Sequence, residues 1–168
     1  MKILIKNGYI VNENKIFESD ILVNGELIEK IDKKISSSDV DKVIDCEGSL
    51  ILPGIIDDQV HFREPGYPNK ATIYSESRAA VAGGITSYFE MPNTNPSTTT
   101  IESLNHKFKI ASMSSLANYS FMFGGTNQNI NEVKKLPEHE VPGIKLFLGS
   151  STGNCLLYTS PSPRDVSR

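Results

Sequence analysis

The chain has little with which to cross-link itself. Its two cysteines, Cys46 and Cys155, stand far apart among 168 residues, too few for a disulfide framework and without paired metal-ligand spacing. No apolar run reaches the ~18–20 residues of a membrane span, and no basic-then-apolar leader opens the sequence, which predicts a cytoplasmic protein that does not enter membranes. An excess of one charge is lacking too. The 17 Lys and Arg against 20 Asp and Glu leave a formal net charge of -3, and no basic stripe offers itself to nucleic acid. Nor is there a Ser-His-Asp or Cys-His set, or a glycine loop of phosphate-cradling pattern. The apolar content is that of an ordinary globular protein.

What is present is concentrated in one stretch, residues 53–66, with the sequence Pro-Gly-Ile-Ile-Asp-Asp-Gln-Val-His-Phe-Arg-Glu-Pro-Gly. Residues 55–62 read as a buried strand running into a polar turn. Side chains alternate along a strand, so Asp57, Gln59, His61 and Arg63 are expected on one face, with Ile56, Val60 and Phe62 on the other. A row of polar groups is costly in a plain core. It suits either a site or an exposed edge strand.

This segment resembles the first barrel strand of the amidohydrolase superfamily, whose members carry Asp-x-His-x-His there and bind one or two divalent metals. The run Phe62-Arg63-Glu64-Pro65-Gly66 looks like that of dihydroorotases in particular. Gln59 departs from the pattern, standing where the first histidine usually sits; His61 matches the second. The resemblance extends over residues 1–154 and implies an α/β fold, a (β/α)8 TIM-type barrel preceded by part of a small β-sandwich. Such a barrel takes ~200 to over 400 residues, so only its first four strands fit here.

In chain order, residues 2–11 predict two short strands around an Asn7-Gly8 turn, and 20–31 a hairpin around Asn24-Gly25. Residues 43–45 and 50–52 add short strands, completing a small all-β unit over 1–52. From 53 to 154 strands alternate with helices, which implies parallel strands and right-handed crossovers. Helices are expected over 71–82, 100–117 and 129–136, and further strands over 86–91, 119–123 and 143–148. Residues 155–168 break both periods, and their two prolines forbid a helix. This tail looks like a translated sequencing-library adapter and is expected to be non-native.

Working groups of such barrels sit at the C-terminal ends of the strands. His61, Asn93 and Lys145 fall at those positions, whereas His106 and His139 carry no supporting pattern. The resemblance implies His61 as a metal ligand, with Gln59 a weak oxygen ligand, a water-orienting group or a simple hydrogen-bonding neighbour. In Gly-Ile-Lys-Leu-Phe-Leu, alternation points Lys145 inward, where an amine is paired, deprotonated or modified. By resemblance Lys145 is carboxylated to a CO2-derived carbamate that bridges divalent cations, expected to be one or two Zn2+; a stem reaching the rim is the other reading. Arg63 offers a planar fork for a carboxylate and Asn93 an amide donor beside it.

Together these imply metal-dependent, reversible hydrolysis of dihydroorotate to N-carbamoyl-L-aspartate in pyrimidine biosynthesis, on a small substrate bearing a carboxylate. The general-base aspartate and further histidines are expected on strands beyond this sequence. Two alternatives stand beside it. One is a non-catalytic dihydroorotase-like scaffold for aspartate transcarbamoylase, and the other a hydantoinase- or allantoinase-like enzyme. A homo-oligomeric full-length parent fits each of them, and no residue pattern sets its subunit number.

Overall fold

The computed structural model of the protein describes residues 1–137 and 139–147. The predicted tail over 155–168, with Cys155, lies outside the described residues. Two compact units divide between Pro53 and Gly54.

In the first unit, β1 (Lys2–Asn12) pairs antiparallel with β2 (Lys15–Asn24), which pairs with β3 (Leu27–Asp32) across the predicted Asn24-Gly25 turn. β4 (Lys42–Asp45) and β5 (Leu50–Ile51) both run parallel to β1. The predicted turn at Asn7-Gly8 is corrected. β1 runs straight through it, with a bulge between Ile5 and Gly8, and the chain reverses at Glu13-Asn14 instead. Asn7 takes the left-handed conformation at φ 56°, and its N–H donates to the Asp20 carboxylate at 3.2 Å. Asp20 also accepts from the Ile35 N–H at 2.9 Å. One buried carboxylate thus pins both the bulge and the chain that follows β3.

The second unit is mixed α/β. β6 (Ile55–Val60), β7 (Ile85–Glu90) and β8 (Asn118–Phe121) form a parallel sheet in that order. β9 (Phe123–Gly124) follows β8 after Met122 and pairs in parallel with β10 (Ile144–Lys145). The Met122 N–H donates to the Glu90 carbonyl at 2.9 Å, carrying the β7–β8 ladder up to β9. The crossovers are α1 (Ile73–Ala82) and α2 (Ile101–Ser114). Each opens on a threonine cap, Thr72 or Thr100, answered three residues later by Ser75 or Ser103 in a reciprocal capping box. Each also has its first free N–H taken by a distant carboxylate. Glu64 accepts from Ile73 at 2.7 Å and Glu132 from Ile101 at 3.0 Å, relieving the exposed donors of a helix start. The predicted helix over 129–136 is confined to α3 (Ile130–Val133).

Between strands and helices lies a core of Phe62, Ile73, Tyr88, Leu104, Ala111, Ala117, Phe121 and Phe123. Phe62 and Tyr88 rings stand 4.5 Å apart, and Phe108 meets Phe121 edge-on at 5.0 Å. The expectation of a buried strand over 55–62 is corrected in part. Ile55 and Ile56 are 54% and 61% exposed, because among the described residues β6 pairs with β7 alone. Only its C-terminal end, through Phe62, enters the core.

Candidate active-site rim

Polar side chains gather where β6, β7 and β10 end. Phe62 packs into the core, so the neighbouring His61 projects to the other face. There His61 Nδ1 meets Asn93 Oδ1 at 2.9 Å. The amide oxygen can only accept, so Nδ1 donates here, and in the neutral ring Nε2 is left with its lone pair. A metal-binding histidine is commonly held this way, its second nitrogen donating to a fixed acceptor. Asn93 keeps its Nδ2 hydrogens for another partner.

Gln59 makes a different bond. Its Oε1 accepts from Lys145 Nζ at 3.1 Å, joining the first strand of the unit to the last. Lys145 is half-buried and paired with a neutral amide. Asp57 does not join this group. Its Oδ1 accepts from the Gln59 backbone N–H at 3.1 Å, and the β6–β7 register slips between Asp57 and Val60. The irregularity breaks the strict alternation over 55–62, and bulges of this kind re-aim side chains.

Arg63 lies in the turn after β6 with φ 68°, a left-handed conformation uncommon for a non-glycine residue. Among the described residues no carboxylate pairs with its guanidinium. The turn is locked to the loop that carries Asn93: the Asn95 N–H donates to the Pro65 carbonyl at 3.1 Å. Gly66, at φ 102°, packs so closely that an added Cβ would lie 2.3 Å from the Asn95 carbonyl oxygen. The loop is further held by Thr98, whose N–H reaches the Pro92 carbonyl at 2.9 Å, and by the Thr94 hydroxyl on the Pro96 carbonyl at 2.9 Å.

Sequence reasoning missed a buried ion pair beneath this rim. Lys107 of α2 and Glu90 at the end of β7 are 0% and 1% exposed, with Nζ and Oε2 2.6 Å apart. Burial pushes the Glu90 carboxyl up and the Lys107 ammonium down, while each partner's charge pulls the other back. Lys107 stood out in the sequence only as a lysine on the apolar stripe of α2, three residues after Leu104 and four before Ala111. The chain's deeply buried lysine is therefore Lys107, not Lys145.

As a test of fit to a divalent cation, the fixed His61 tautomer supplies one nitrogen ligand of the right form, and Gln59 and Lys145 stand on the same rim. Among the described residues no three His, Cys, Asp or Glu side chains converge as a metal-holding group. The rim fits one corner of a metal site.

Comparison with known proteins places the chain in a family. A family described as dihydro-orotase-like matches residues 48–134, more than half of the chain. A dihydroorotase of Methanosarcina acetivorans is 40% identical over 150 residues, which are 89% of this chain and 32% of that protein. An allantoinase of Desulfitobacterium hafniense is 36% identical over 146 residues, 86% of this chain and 32% of that one. Among solved structures, the L-hydantoinase (dihydropyrimidinase) of Arthrobacter aurescens superposes with a TM-score of 0.86 at 28% identity, over 94% of this chain and 35% of that chain. The chain thus spans about a third of the length of the relatives it matches.

Proposed function

The chain belongs to the dihydro-orotase-like family of cyclic amidohydrolases, and from that membership we propose that it is the opening third of a dihydroorotase, a cytoplasmic enzyme that interconverts dihydroorotate and N-carbamoyl-L-aspartate. On this reading β6, β7, β8–β9 and β10 are the first four strands of a (β/α)8 barrel over 53–154. Residues 1–52 are part of a flanking β-sandwich, and 155–168 are foreign to the fold.

The observation that carries the reading is the locked pair of turns holding Arg63 and Asn93. Arg63 would grip the substrate carboxylate with its planar fork, and the Nδ2–H of Asn93 would add a second donor. Fixing the carboxylate fixes the ring, and holding reactants in register is itself a large share of catalysis. Hydantoin and allantoin have no such carboxylate, so this pair separates dihydroorotase from its relatives.

His61, its Nδ1 proton engaged by Asn93, would hold a divalent cation through Nε2, with the carbamate of Lys145 as a second ligand and Gln59 at most a weak one. Such a cation, of which Zn2+ is the leading candidate, polarises a carbonyl and supplies a water of lowered pKa. Asn93 would keep His61 in the ligating tautomer throughout. The general-base aspartate would come from the other two-thirds of the protein.

A second reading rests on Gln59. With an amide in place of an imidazole and Lys145 bonded to it, the barrel could serve as a non-catalytic support for aspartate transcarbamoylase. One assay separates these readings: the full-length protein, purified with metal, is offered dihydroorotate, hydantoin and allantoin in turn. Turnover of dihydroorotate alone is expected. Hydrolysis of allantoin or hydantoin without dihydroorotate would overturn the reading, and loss of all three with transcarbamoylase co-purifying would favour the support.

A further inference from the structure

We propose that the buried Glu90–Lys107 pair is a positioning device that holds Arg63 and Asn93 in their binding arrangement; this rests on the carboxylate-binding reading above. Neither residue is part of the rim. Glu90 shares a face of β7 with Tyr88, on the core side, and Lys107 rises from α2 below it.

What the pair touches defines its work. The Glu90 carboxylate lies beside the backbone N–H groups of Phe62 and Arg63, which favour its charged form. Lys107 Nζ donates to the Met91 carbonyl at 3.2 Å and lies 4.8 Å from the centre of the Phe121 ring. The ends of three neighbouring strands therefore converge on one ammonium and one carboxylate. One end leads directly to Arg63, and another leads through Pro92 to Asn93.

Stability alone does not account for the pair. No donor is well aligned on either Glu90 oxygen, so charge and proximity hold it rather than ideal hydrogen bonds. A buried ion pair of this sort is often replaced by apolar residues without loss of stability, and the surroundings here, Leu104 and Phe121 among them, are already apolar. What apolar residues cannot do is hold a peptide N–H and a peptide carbonyl. Arg63 at φ 68° is the backbone in need of such a hold, because a strained conformation persists only where its surroundings over-determine it. Lys107 donates to the Met91 carbonyl, and the negative Glu90 that it anchors attracts the N–H side of that turn by charge rather than by a formed hydrogen bond.

The test compares the full-length enzyme with Lys107→Met, Glu90→Gln and the double variant Glu90→Leu/Lys107→Met. Melting temperature, KM and kcat for dihydroorotate, and amide hydrogen exchange are measured on each. The double variant is expected to melt close to the wild type while its KM rises at least tenfold and kcat changes far less. Exchange should quicken at residues 62–63 and 91–93 and stay unchanged at Leu104 and Ala111. A double variant that restores both melting temperature and KM, or unchanged exchange at residues 62–63, overturns the proposal. A wild-type enzyme inactive on dihydroorotate defeats the substrate reading instead. The exchange pattern then decides the positioning role by itself.

Discussion

Lys145 Nζ reaches Gln59 Oε1 at 3.1 Å, although 86 residues separate them in the chain. The bond ties Gln59, the position at which this rim departs from a two-histidine site, to the lysine of the last strand. An amide oxygen is a poorer ligand for a cation such as Zn2+ than an imidazole nitrogen. While it accepts from Lys145, it also keeps that amine engaged as a donor. Gln59→His in the full-length enzyme is therefore expected to raise divalent-metal affinity by about tenfold or more, the scale on which ligand-shell changes act. Metal titration reads the affinity, and intact-mass analysis reads any CO2 adduct on Lys145. Equal affinities for the two proteins would sink the idea.

On the proposed reading Asn93 serves two partners, and substitution can part them. Its Oδ1 meets His61 Nδ1, and its Nδ2 would be left to meet a substrate carboxylate. Asn93→Asp keeps an acceptor for His61 but sets a negative charge against the substrate, so metal affinity should hold while KM rises steeply. Asn93→Leu removes both functions, and metal affinity should then fall by about 10–100-fold. If both variants lose metal equally, the acceptor role assigned to Oδ1 is wrong.

Gly66 is where the two rim turns meet. Any side chain there takes a left-handed conformation at φ 102° and drives its Cβ into the Asn95 backbone at 2.3 Å. Gly66→Ala should cost about 1–3 kcal/mol, the range for a residue forced into such strain. The Arg63 and Asn93 turns should also move apart, so KM should rise further than a variant of equal melting temperature elsewhere would raise it. Calorimetry together with steady-state kinetics would check both, and an unchanged KM would separate the strain from the site.

Much of this arrangement was legible because period-two and capping signals are local. Phe62 in the core and His61 opposite it follow from the pleat alone. The Thr-x-x-Ser boxes at Thr72 and Thr100 start both helices within two residues of the expected places. Where reading failed, a distant partner decided. Asn7-Gly8 looks like a hairpin turn, but Asp20 captures the Asn7 N–H and the chain continues as a bulge. Strict alternation puts Asp57 with Gln59 and His61, but its carboxylate accepts from the Gln59 N–H at the point where the register slips. Lys107 could not be paired with Glu90 from sequence, since nothing local tells a lysine on an apolar stripe that a carboxylate waits at the end of the preceding strand.

That pair also predicts a dependence on pH. Burial already raises the Glu90 carboxyl above its ordinary range, and the Lys107 charge is the largest influence opposing it. Lys107→Met removes the opposition, so the folded-state pKa of Glu90 should climb further. A carboxyl raised on folding contributes stability that is fully present below its unfolded value, near ~4.3, and is lost as pH rises through the folded value. The variant should therefore weaken progressively from mild acid toward neutrality. By pH 7 the deficit should approach about 3–5 kcal/mol, the usual penalty for one buried charge left alone. Adding Glu90→Leu removes the titrating group and should flatten the slope, bringing stability back near the wild type. Urea unfolding of the full-length variants between pH 5 and 8 measures both effects. A Lys107→Met protein whose stability is level across that window would mean that water, not Lys107, keeps Glu90 charged.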